Sequence, residues 1–286
     1  MSTQNTHIVI DPTDSNVILR DLTDISELRK VEQLQKDVWG IADLEVFPAL
    51  AMIPMLEVGG VLIGAFDGEV MAGFVFGFPG QEHGKAILHS DMLAVRPEYR
   101  RHGLGAKLKL AQRRRALAIG IDTITWTFDP LQARNARLNF GNLGVTSKRY
   151  CPNYYGETTS FLHQNGTDRL WVTWELESDR VRRRIADAGS TSTTDPNVST
   201  ALLITENKEP FEANAQPDSA ASIAIEIPAD INTLLSQDHR LALRWREATR
   251  KVFTALIDSG HYVAEFDFVT GSYGQVGRYI LDRRDR

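Results

Sequence analysis

Hydrophobic positions along the chain fall into short alternating or continuous runs parted by turn residues, with stretches of helical spacing between them. Val17 to Arg20 reads as a strand. Asp24 or Ser26 is then placed to cap a helix reaching about Val38, because Leu28, Val31, Leu34, Gln35 and Val38 recur near helical spacing. GGVLIGAFDGEVMAGFVFGFPG gives two strands around Asp67-Gly68, a two-residue turn that favours a hairpin. KAILHSDMLAV adds a strand, Leu104 to about Ile119 a helix, DTITWTF a further strand, and ARNARLNFGNLGV a short helix stopped near Gly144. A helix separates Ile87 to Val95 from Asp122 to Phe128, so these two strands are expected to be parallel neighbours. DRLWVTWEL closes the region with another strand.

From Ala186 to Ser222 the composition shifts to Ser, Thr, Asn, Asp, Pro and Ala, which reads as a linker interrupted by a strand at ALLIT. Beyond it, SIAIEIPADI is a strand and turn, LALRWREATRKVFTALIDSG a long amphipathic helix, and HYVAEFDFV and GRYIL two more strands. In that helix Leu241, Trp245, Ala248, Val252 and Leu256 form a stripe expected to face a core. The fold class is therefore α/β (α+β), with a mixed sheet flanked by helices. The domains are expected over residues 1–185, a polar linker over 186–222, and a smaller α/β lobe over 223–286.

Composition narrows the functional classes. The chain has 286 residues, 42% of them hydrophobic and 24% charged, which suffices for one large or two modest cores. A formal net charge of -5 argues against a general nucleic-acid binder, since that task needs a basic surface to displace counterions. Neither a signal sequence nor a membrane span is read: the N-terminal stretch lacks a basic segment followed by an apolar one, and VFPALAMIPMLEVGGVLIGAF is broken by proline, glycine and Glu57. The cytoplasm is the expected compartment. Cys151 has no cysteine to pair with, and the seven histidines show no ligand spacing, so no disulfide and no metal are expected. The run RVRRRI at Arg180 to Ile185 reads as a solvated helix start or linker edge able to attract an anion.

The stretch DMLAVRPEYRRHGLGAKL carries the chemistry. An apolar strand ends, a turn follows, and a helix begins behind Gly103 and Gly105, which let backbone approach an anion closely; the helix start presents unpaired N–H groups to it. Arg100, Arg101 and His102 add local positive charge. A P-loop is excluded, because Gly105 is followed by Ala106, Lys107 and Leu108, and a Rossmann fingerprint fails at Leu108. Instead Arg100-Arg101-His102-Gly103-Leu104-Gly105, after Leu93-Ala94-Val95, resembles the acyl-CoA loop [QR]-x-x-G-x-[GA] of the GNAT acyltransferase superfamily. NARLNFGNLGV resembles that family's Asn-Ala helix, with Val145 in place of an aromatic residue. VWG, GGVLIGAF, GFVFGFPG, FDPLQARNARLN and RYCPNYYG further resemble a bacterial branch of it, and the likeness spans roughly Val17 to Leu176.

The resemblance implies the GNAT fold, a splayed central sheet, and acetyl-CoA or another acyl-CoA as cosubstrate. The pantetheine arm would lie beside Leu93 and Val95, with the pyrophosphate on N–H groups from Arg101 to Ala106, including Gly103, Leu104 and Gly105. The Leu93 N–H would steady the oxyanion, and Asn135 would contact the cofactor or cap its helix. Four residues before Gly144, where many relatives carry a tyrosine acid, stands Phe140, leaving Tyr150, Tyr154, Tyr155 or water as proton donor. Strand alternation places His89, Asp91, Leu93 and Val95 on one face, with Asp91 the first choice of base and His89 the second. Glu45 lies where relatives build an acceptor pocket, and Lys148 and Arg149 could clamp a carboxylate on a succinyl donor or an amino-acid acceptor. The expected reaction is acyl transfer to the amine of a small molecule, with a homodimer left open. Protein-lysine acetylation and a CoA-binding regulatory protein without catalysis are the alternatives.

Overall fold

The computed structural model describes residues 8–9, 17–156, 164–186, 198–213 and 221–283. The chain divides into two compact units, one built on residues up to Trp126 and the other on Thr127 onwards.

In the first unit, strands β1 (Ile8–Val9), β2 (Val17–Asp21), β3 (Val61–Asp67), β4 (Val70–Glu82), β5 (Lys85–Val95) and β6 (Thr123–Phe128, to Trp126 in this unit) pair in sequence order. Every pairing is antiparallel except β5 with β6, which is parallel as the sequence predicts. The β3–β4 hairpin turns on Gly68-Glu69, one residue later than expected, because Asp67 pairs with Val70 and Gly68 supplies the positive φ of 56°.

Helix α1 (Ile25–Trp39) starts on Asp24, whose carboxylate accepts the Ser26 N–H at 2.8 Å, and ends at Gly40 in the left-handed region. Its buried stripe packs with α2 (Ala49–Glu57) against Phe74, Phe76, Met92 and Ala94 of the sheet. Gln35, on that stripe, is almost fully buried yet satisfied: its Nε2 donates to the Phe47 carbonyl and its Oε1 accepts the Phe47 N–H. Helix α3 (Leu104–Ala118) covers the other face and is tied to β2 by two Arg115–Asp21 hydrogen bonds of 2.8 and 2.6 Å.

In the second unit, β7 (Thr146–Cys151), β8 (Arg169–Glu175), β9 (Ser199–Ile204), β10 (Pro210–Glu212), β11 (Ser222–Pro228), β12 (His261–Gly271) and β13 (Gly274–Arg283) stand in the order β8-β7-β12-β13-β11-β9-β10. The ALLIT strand belongs to β9, which pairs parallel with β11 while β10 closes the edge. Residues 199–212, read from composition as linker, are thus largely sheet. Its helices are α4 (Ala133–Ala136), continuing as a π-helical turn over Arg137–Leu143, then α5 (Asp179–Ala186), α6 (Ile231–Gln237) and α7 (His239–Asp258). Of the expected α7 stripe, Trp245, Ala248, Val252 and Leu256 are buried, whereas Leu241 in the first turn is only half-buried. Tyr279 centres the aromatic core, with Phe140, Phe253 and Phe266 rings 5.8, 5.2 and 4.6 Å away. Among the described residues no single helix is long and apolar enough to cross a membrane.

Candidate functional site

The first unit contains a parting of two strands. Parallel pairing of β5 with β6 is confined to Leu88↔Ile124 and His89↔Thr125. Just past that point β5 carries a bulge: Phe78 of β4 pairs with His89 and Phe76 with Met92, so Ser90 and Asp91 together oppose Gly77. Gly77 makes the close approach possible, since a Cβ there would lie 2.8 Å from the His89 carbonyl oxygen and 2.9 Å from Gln112 Nε2.

The bulge corrects the expected alternation. His89 pairs with Phe78 on the face covered by α1 and α2, where Met92 and Ala94 also pack. Val95 instead meets the α3 face, as does Ser90, whose Oγ accepts from Lys109 Nζ at 2.7 Å. An extra residue shifts the two-residue period, so His89 and Val95 do not share a face.

His89 Nδ1 and Thr125 Oγ1 share a 3.1 Å hydrogen bond across the last paired position. Burial, with a smaller contribution from Lys109, pushes the imidazole down to about 4, so it is uncharged near neutrality. Asp91 keeps a solvent-accessible face, yet enough of the fold surrounds it that desolvation raises its carboxyl above the usual range. An accessible but poorly hydrated carboxylate suits a general base better than the His89 ring does.

Lys109 is a residue that sequence reading missed. It is 2% exposed, donates to Ser90 and Gln112, and lies 3.7 Å from the Trp126 ring centroid. Burial drives its ammonium well below the ordinary 10.5. A lysine between two leucines in LKL is the only sequence hint of it, and such a position reads equally as solvent-facing.

The turn after β5 is a 3-10 segment, Pro97–His102, followed by Gly103 at φ 67° and then α3. It is fastened on several sides. Tyr99 donates to Asp67 at 2.9 Å, Arg96 donates to the Met71 carbonyl and to Asp37, and Arg100 Nε donates to the Val95 carbonyl at 3.0 Å. Arg100 therefore straps the end of β5, whereas the expected side-chain contacts of Arg101 and His102 fall outside the described residues. Among the described residues no side chain caps α3, and a backbone bond runs from Lys107 N–H to the Gly103 carbonyl. The N–H groups of Leu104, Gly105 and Ala106 thus point outward from a positive helix end, the arrangement that receives an anion.

Glu45 is exposed and turns back on its own segment, accepting the Ala42 N–H at 3.3 Å. That is a local cap.

The remaining candidates belong to the second unit. Asn135 is exposed in α4, but Gln132, not Asn135, occupies the N-cap position. Phe140 is fully buried beside Phe128 and Tyr279. Tyr150 donates to Asp168 at 2.7 Å and stacks on Phe253; burial followed by the Asp168 charge raises its phenol far above the usual range, which makes it a poor acid. Tyr154 and Tyr155 meet edge to face at the surface, with Arg169 over the Tyr155 ring. Arg149 lies over Trp171, 5.0 Å from the ring centroid, and Lys148 is exposed. Cys151 is buried, and burial pushes its thiol up. The basic run is a helix start as expected, with Arg182 and Arg183 exposed, but Arg180 and Arg184 are both paired with Glu265, and Arg180 Nε also donates to the Gly144 carbonyl.

A second group of polar residues was invisible in the sequence. Arg246, 3% exposed on the buried face of α7, binds Asp129 at 2.7 Å and the Asn165 carbonyl at 2.6 Å. Arg250 binds both oxygens of fully buried Asp168. Tyr279 donates to the Pro130 carbonyl at 2.7 Å, and Gln132 and Asn232 exchange amide hydrogen bonds. The chain just after β6 is thereby held by residues from α6, α7 and β13.

Residues 25–139 match the model of the acetyltransferase (GNAT) family. Solved structures of similar fold include a GNAT-family protein from Desulfovibrio desulfuricans, 15% identical, covering 56% of this chain and 99% of its own, with a TM-score of 0.46. The ribosomal-protein-S18-alanine N-acetyltransferase from Escherichia coli is 17% identical, covering 57% and 95%, with a TM-score of 0.45. A Salmonella typhimurium protein whose structure holds its cofactor acetyl-CoA is 15% identical, covering 58% and 97%, with a TM-score of 0.45. No curated protein sequence matches this chain.

Proposed function

We propose, from the match of residues 25–139 to the acetyltransferase (GNAT) family model, that the protein is an acyl-CoA-dependent N-acyltransferase that acylates the amine of a small molecule by direct attack in a ternary complex. The observation that carries this reading is the parting of β5 from β6 after His89, with the uncapped start of α3 at the end of the same strand. An extended pantetheine arm fits beside an unpaired strand segment, and the pyrophosphate fits the N–H groups of Leu104, Gly105 and Ala106.

The amine nitrogen attacks the thioester carbon, the C–N bond forms as the C–S bond breaks, and CoA leaves as its thiolate. Asp91 takes the amine proton, and the Leu93 N–H steadies the charge on the carbonyl oxygen. The thiolate, a fairly good leaving group, takes a proton from water, which suits a chain whose Tyr150 is bound to Asp168 and whose Phe140 is in the core. Thiol release from acetyl-CoA, followed in the presence and absence of amines, tests this. Amine-dependent release matched mole for mole by N-acylated product is expected. Buried Phe140 favours one other reading, a CoA-binding protein without turnover, which would bind acetyl-CoA and release no thiol.

A further inference from the structure

An aromatic row on the α1/α2 face of the first unit leads to the point where the strands part. The Phe47 ring lies 5.6 Å from Phe76, Phe76 lies 6.2 Å from Phe78, and Phe78 lies 5.7 Å from His89. Phe76 is fully buried, whereas Phe47, Phe78 and His89 keep part of their surface accessible. The row is held in place. Both amide atoms of buried Gln35 are used on the backbone of Phe47, Glu32 accepts the Ala49 N–H at 2.6 Å at the start of α2, and Phe78 is fixed by its ladder pairing with His89.

The charges beside this row are few. His89 is uncharged near neutrality and adds a flat, weakly polar edge. Asp91, two residues along β5, is accessible and makes no hydrogen bond or ion pair among the described residues, so it matches a single ammonium. Glu32 is occupied by Arg29 and the Ala49 N–H, and Glu45, two residues before Phe47, is turned back onto the Ala42 N–H. Beyond Phe47, α2 turns Leu50 and Ile53 outward, 65% and 38% exposed. A polycationic acceptor would need several open carboxylates, and one carboxylate beside a fixed aromatic wall selects differently.

Resting on the acyl-transfer reading above, we propose that the acceptor is a primary amine bearing an aromatic or comparably bulky apolar group, seated against Phe47 and Phe78 with its nitrogen toward Asp91. Aromatic side chains at such a wall contribute both buried area and ring geometry, so losing one costs affinity for a ring-bearing acceptor specifically.

The test compares 2-phenylethylamine, spermidine and a lysine-containing peptide as acceptors in thiol release from acetyl-CoA by the full chain. Phenylethylamine is expected to exceed the other two by at least about tenfold in kcat/KM. Phe78→Ala should raise its KM about tenfold while the KM for acetyl-CoA stays within about twofold. Phe47→Leu, which keeps apolar bulk, provides a milder variant and should shift the same parameter in the same direction. Preference for spermidine or the peptide, or an unchanged phenylethylamine KM in both folded variants, overturns the aromatic acceptor while leaving acyl transfer standing. Absence of thiol release with every amine overturns both.

Discussion

Lys109 shows what a single side chain can reveal about this fold. Enclosed by Ser90, Gln112 and Trp126, it is pushed by burial well below its ordinary 10.5. The folded state then holds fewer protons than the unfolded state between that lowered value and about 10.4, so stability rises with pH across this window. Relative to Lys109→Met, the wild type should gain stability as pH rises toward 10, with a slope of at most about 1.4 kcal/mol per pH unit, read from urea midpoints. Parallel curves would mean that the lysine titrates normally in the fold. Asp91 has the opposite sign of consequence for activity, because its raised carboxyl must lose a proton before it can accept one. The acid limb of kcat/KM should therefore disappear in Asp91→Asn, with turnover lowered roughly a hundredfold or more. A limb that persists in the variant assigns the base elsewhere.

At the scale of elements, the strands, helices and caps were largely legible because each follows a local rule. Asp24 caps α1, Gly144 ends the helical stretch after α4, and the β5–helix–β6 order gives a parallel pair. What escaped was set by partners distant in sequence. The bulge at Ser90-Asp91 breaks the two-residue period without any proline or glycine on β5 itself, and its enabling residue, Gly77, stands on the neighbouring strand. β7 escaped because TSKRYC has no apolar run, and β10 because it is three residues long with polar flanks, whereas β9 was readable at ALLIT. Gly77→Ala tests the bulge: its methyl would press on the His89 carbonyl and Gln112, so a loss of about 1 to 3 kcal/mol in stability is expected. In the folded fraction kcat should fall more than acetyl-CoA affinity, since the methyl presses on β5 beside Asp91 and on Gln112, well along α3 from its first turn. An affinity loss as large as the kcat loss would show that the bulge serves binding.

At the scale of the molecule, the C-terminal residues are part of a core rather than an appendage. Trp245 and Tyr279 are fully buried in the second unit, and Arg246 neutralises Asp129 there. Removing one partner of a buried ion pair leaves the other uncompensated, so Arg246→Ala should cost about 3 to 5 kcal/mol in unfolding free energy. A loss under about 1 kcal/mol would show that water satisfies Asp129 without it. The loop proposed to bind acyl-CoA stands out as a motif because such chemistry is carried by backbone and glycines in consecutive residues, whereas the proposed acceptor wall draws on residues of β4, β5 and the segment before α2, which no contiguous stretch encodes.

The central claim is that the start of α3 and the parted strands bind acyl-CoA, and calorimetric titration of the full chain with acetyl-CoA tests it most directly. Gly103 occupies the left-handed region with open space around a would-be Cβ, a conformation that aspartate tolerates better than most residues, so Gly103→Asp should fold while placing a negative charge at the helix end. One site per wild-type chain is expected, with affinity lowered about tenfold or more in the variant. No binding to the wild type, or equal affinity in a variant with an unchanged circular dichroism spectrum, would contradict the assignment.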